Sequence, residues 1–251
     1  MVKIKTHRGL QIIISLSVLF GIPVTMIGSV ALENLITNRI RSVEREKYKE
    51  VLPYLLETDN GIPLKAKIDN KPITVNIDMT EAERKQAIKA INDLDKISNV
   101  INYEILDNSN SSVYADINLS IAPNMVEATH AIGRASLNYD TKTGYIKYPI
   151  SIVIDDGVIN YRSTKGVNLV DYVVKHEMMH TLGFKDMNDE QYYNKTVMWY
   201  AMQDGMELDD FSDLDIKNIK TMYDQNLITV TKPEQVSFVC NVKNKKDEYI
   251  M

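Results

Sequence analysis

A chain of 251 residues, 44% hydrophobic and 25% charged, is long and apolar enough to bury one good core, which excludes a disordered polymer. Its formal net charge of -5 and pI near 5.5 exclude a general nucleic-acid binder, and no phosphate-cradling glycine loop is present. The one cysteine, Cys240, excludes an internal disulfide and reads as a small apolar residue in a strand.

Lys3, Lys5 and Arg8 precede an uncharged run from Leu10 to Leu32, which at about 1.5 Å per residue is long enough to cross a hydrocarbon core of about 30 Å. Residues 1–32 therefore predict an export element. The length of the run predicts a retained single-pass membrane anchor with the rest of the chain outside. Ser29-Val30-Ala31 offers the alternative of a cleaved signal peptide and a secreted protein. Residues 33–69 read as a helical stalk or linker: Leu35, Ile36, Ile40, Val43, Tyr48, Val51 and Leu55 punctuate a charged stretch, and the helix is expected to end near Pro53. Asp59-Asn60-Gly61-Ile62-Pro63 is a turn cluster before the main domain, placed at 70–225.

Ile73 to Asp78 alternates as a half-buried strand does. Thr80 and Glu83 form a capping box for a helix to about Ser98, with Ala87, Ile88, Ile91 and Leu94 inward. Strands follow at 101–106, 117–121, 133–138 and 145–155, the first two separated by a polar loop at 107–112. His130 reads as a loop histidine, and Asp155-Asp156-Gly157 as a turn rather than part of an ion site. Asn168 can cap the next helix, whose apolar stripe is Val170, Val174 and Met178.

The opposite face of that helix carries the chemistry. His176 and His180 are four residues apart, so their imidazoles share a face and can converge on one metal ion, with Glu177 beside them to polarise a water. Gly183 can take a left-handed backbone and turn the chain so that Asp186 points back at the same ion. Three protein ligands and an open fourth position distinguish a catalytic zinc site from a closed structural one. Ser212 with Asp215 forms a further capping box for a helix to Tyr223. The tail, 226–251, has one expected strand, 236–242, and no assigned task.

His176, Glu177, His180, Gly183 and Asp186 resemble the extended zinc motif of the metzincin metallopeptidases, with aspartate as third ligand as in the snapalysin-type variant. Thr196-Val197-Met198-Trp199-Tyr200 resembles the family's Met-turn. The resemblance implies an α+β catalytic domain with a twisted mixed sheet, an active-site helix and a small C-terminal subdomain. It implies a zinc endopeptidase acting on a protein or peptide, with Glu177 as general base and Met198 as an apolar floor under the histidines. Tyr200 would approach the metal or the oxyanion, and Asp215 would brace the Met-turn. Gly133, Arg134, Ala135, Ser136 and Leu137 would form the sheet edge to which a peptide adds as a strand. A surface module of this shape that binds peptide or metal without turnover carries the same motifs. A membrane-tethered structural protein with an accidental motif is a third reading.

Overall fold

Three strands alternate buried aliphatic side chains with more exposed ones, and the alternation gives their sheet one apolar face. Strand β1 (Ile73–Asp78) buries Ile73, Val75 and Ile77, β3 (Ile117–Ala122) buries Ile117 and Leu119, and β5 (Ile146–Asp155) buries Ile150, Ile152 and Ile154. The computed structural model describes residues 24–69, 71–107, 114–123, 131–157, 169–200 and 210–224. With β2 (Tyr103–Ile105) and β4 (Gly133–Tyr139) these strands form a five-stranded mixed sheet in the order β2-β1-β3-β5-β4. All neighbours are parallel except β4, which runs antiparallel to β5 at the edge.

The α+β class expected from the sequence is present, with helices α1 (Val24–Lys47), α2 (Glu81–Asp95), α3 (Leu169–Thr181) and α4 (Asp213–Tyr223). Both capping boxes form, at Thr80 with Glu83 and at Ser212 with Asp215. Helix α2 stops at Asp95, short of Ser98, where the Asp95 carboxylate accepts from the Tyr103 amide at 2.9 Å and turns the chain into β2. Helix α3 packs against α2 and against β4 and β5, burying Val170, Val174 and Met178 as expected. The turn at Asp155 closes with Gly157 N–H donating to Asp155 Oδ1 at 2.8 Å.

Lys175 is fully buried on α3. Its ammonium lies 3.0 Å from Asp171 Oδ2, 2.9 Å from Asp210 Oδ1 and 3.6 Å from Asp93 Oδ2, so it ties α2, α3 and the approach to α4 together. A lysine at such a position survives because several carboxylates surround it.

The expected stalk departs most from the structure. Helix α1 ends at Lys47, and the chain after it enters the core: Tyr48, Val51, Leu55, Ile62, Leu64 and Ala66 are all buried. Residues 55–65 form a hairpin-like excursion around Gly61, with Leu64 N–H donating to Leu56 O at 2.8 Å. This excursion bridges to Phe184 on one side and Tyr145 on the other. Polar contacts hold α1 itself, through Glu44 to Lys65, Arg45 to Glu57 and Glu33 to Lys142. Of the expected apolar run from Leu10 to Leu32, residues 10–23 lie outside the described residues, as do residues 1–9, His130, Asn168 and the tail with Cys240. Among the described residues no helix is long and apolar enough to cross a membrane.

Leu55, Ile62 and Leu64 are each at most 2% exposed. Their burial contributes roughly 5–9 kcal/mol at about 1.5–3 kcal/mol each, comparable with the whole stability of a domain, about 5–15 kcal/mol. A chain starting at residue 70 is therefore expected to lose cooperative urea unfolding, whereas one starting at residue 43 keeps it. Matching midpoints for the two chains would contradict this packing.

Candidate metal centre

Helix periodicity puts His176 and His180 on one face of α3, with ring centroids 4.9 Å apart and planes at 86°. Each Nδ1 is within hydrogen-bonding distance of a main-chain oxygen, His176 to Val197 O at 2.7 Å and His180 to Phe184 O at 2.8 Å. A carbonyl only accepts, so each Nδ1 carries the proton and donates. That fixes both tautomers and presents Nε2 from each ring. Asp186 Oδ1 lies 3.0 Å from His176 Nε2 and 3.4 Å from His180 Nε2. One ligand atom from each of the three side chains falls within 4.8 Å of the others.

Asp186 is placed by the turn after α3. Gly183 has φ +95, a left-handed backbone, and a β-carbon there would lie 2.3 Å from Leu64 O. Glycine is thus required twice, by conformation and by the close pass of the 55–65 excursion. Leu56 N–H donates to Gly183 O at 2.8 Å, Lys185 N–H to Tyr54 O at 2.9 Å and Met187 N–H to Met198 O at 2.7 Å. The backbone on both sides of Asp186 is therefore hydrogen-bonded, which confines its half-exposed carboxylate. Tyr223 adds a relay, donating to Leu182 O at 2.5 Å and accepting from Ala66 N–H at 3.0 Å.

The segment from Thr196 to Tyr200 holds the other wall. Its Val197 carbonyl, which orients His176, also accepts from Tyr172 OH at 3.2 Å. Asp215, 1% exposed, accepts from Val197 N–H at 3.0 Å and from the Thr196 hydroxyl while completing its own helix cap. Met198 is buried and donates its amide to Thr196 Oγ1 at 3.0 Å. Tyr200 is 56% exposed, its ring against Trp199. No hydrogen bond joins its hydroxyl to the triad among the described residues.

Glu177 is 4% exposed, and among the described residues its Oε2 has no hydrogen-bond partner. Burial raises its carboxyl above the usual range, against the pull of the neighbouring imidazoles. Burial acts on His176 in the opposite sense, but Asp186 and Glu177 outweigh it and raise the ring. Desolvation pushes the Asp186 carboxyl up, but the two imidazoles that face it outweigh that and hold it well below the ordinary carboxylate range. Two imidazole nitrogens and a carboxylate oxygen are a borderline donor set of the kind that suits zinc. The tied-back Nδ1 atoms and the unpartnered Glu177 oxygen fit a zinc ion with an open coordination position.

The structure thus brings His176, Glu177, His180 and Asp186 together. It places Gly133 to Leu137 on the edge strand β4, and it leaves Tyr200 outside the hydrogen-bonded cluster. Sequence reasoning missed Lys175, although Asp171 four residues earlier was a legible partner. No protein-family model and no curated protein matches the chain.

Asp215→Ala removes two charge-assisted hydrogen bonds at a buried site. An expected loss of about 2–4 kcal/mol follows from these bonds in urea unfolding. Release of the Val197 carbonyl also predicts roughly 10–100-fold weaker zinc binding in a chelator competition. Unchanged zinc affinity would show that this turn does not orient His176.

Proposed function

We propose that this chain is a zinc-dependent endopeptidase of metzincin type. The observation that carries the reading is the convergence of His176 Nε2, His180 Nε2 and Asp186 Oδ1, with both Nδ1 atoms tied to carbonyls and an unpartnered Glu177 oxygen on the same helix. A zinc ion bound there supplies Lewis-acid polarisation of a scissile carbonyl and lowers the pKa of water toward neutrality.

The protein groups do the rest. Glu177 takes a proton from the attacking water and passes it to the departing amine. The Nδ1 bonds of both imidazoles limit how far the rings can reorient during the reaction. The exposed backbone of β4, from Gly133 to Leu137, holds an extended peptide as an added strand, which gives affinity with little demand on side chains. The apolar run at 10–32 keeps the domain outside the membrane as an anchor, or releases it after cleavage.

Glu177→Ala is the direct test. The variant is expected to retain one zinc per chain and its unfolding midpoint. Its casein cleavage is expected to fall by about 100-fold or more, the range of general-base contributions. Undiminished cleavage with zinc bound would remove Glu177 from the reaction. Stoichiometric zinc without cleavage in the parent would favour a module that binds without turnover.

A further inference from the structure

Gly133 opens β4 opposite the motif helix at a distance that no side chain tolerates. A β-carbon on it would lie 2.4 Å from Glu177 Oε1 and 2.7 Å from Val173 Cγ1. Its φ is not in the left-handed region, so space rather than backbone conformation demands glycine. Val173 and Glu177 are four residues apart on α3, hence on one face, and β4 packs against that helix.

We infer that Gly133 is a positioning residue for Glu177: the bare backbone at 133 lets the edge strand close on α3 and hem in Oε1 of the carboxylate, while Oε2 has no hydrogen-bond partner among the described residues. A glutamate has three rotatable side-chain bonds, and a carboxylate pinned at one oxygen leaves the other at a fixed place. The same strand that offers its edge to a peptide therefore also aims the proton acceptor.

The kinetic part of this inference rests on the hydrolase reading, and the contact part does not. The contact is tested on the metal-free full chain by thermal unfolding of Gly133→Ala in three backgrounds: parent, Glu177→Ala and Val173→Ala. The drop in Tm is expected to shrink in both variant backgrounds, because each removes an atom the new methyl meets. Equal drops in all three would overturn the clasp.

The positioning role is tested on the zinc-loaded double variant Gly133→Ala/Val173→Ala, measured against Val173→Ala, which gives the methyl room on one side only. Zinc content is expected to stay stoichiometric while kcat for a peptide falls about 100-fold, the scale of a misplacement near 1 Å, with KM changed less than about twofold. A kcat within about twofold of Val173→Ala would overturn the positioning role. A parent chain without proteolysis would remove the hydrolase reading and leave the Tm comparison to decide the clasp.

Discussion

Two main-chain carbonyls determine which nitrogen each histidine presents. Val197 O and Phe184 O take the Nδ1 protons of His176 and His180, so both Nε2 atoms face Asp186. Each carbonyl belongs to a turn, and each turn is locked by a contact distant in sequence. Asp215 grips the Val197 turn from the start of α4, and the 55–65 excursion closes on the Gly183 turn. The centre is thus positioned less by its own helix than by two loops that the rest of the fold immobilises. A hydrogen bond to one ring nitrogen governs the orientation of an imidazole and the basicity of its other nitrogen together.

Burial and charge oppose each other throughout the site. Glu177 sits in a dry position with one oxygen unpartnered, an arrangement that costs stability and survives where chemistry needs it. Asp186 has the reverse balance, half-exposed and pulled strongly toward its anionic form by two imidazoles. Two carboxylates within ten residues of each other are thus driven in opposite directions by their environments.

What could be read from the sequence was local or periodic. Capping boxes need only a hydroxyl and an acid three residues apart, and strands β1, β3 and β5 show alternation directly. The ligand cluster was legible because helix spacing and one glycine turn define it within a short stretch. The 48–66 segment was not, since its aliphatics look like a mixed amphipathic helix until Gly183 and Tyr145 supply partners far along the chain. Gly133 and Glu177 meet across 44 positions, and nothing in either neighbourhood announces the contact. Lys175 was missed for a related reason: pattern reading assigns lysine to solvent unless its acidic partners on other elements are known.

X-ray absorption at the zinc edge of the loaded, purified chain tests the central claim most directly. The account predicts one zinc per chain with two imidazoles and further oxygen ligands at about 2.0–2.2 Å, and no sulfur. Loss of one imidazole signal is expected on His180→Ala. A chain that retains no zinc, or a zinc whose ligand sphere does not contain both rings, would contradict it.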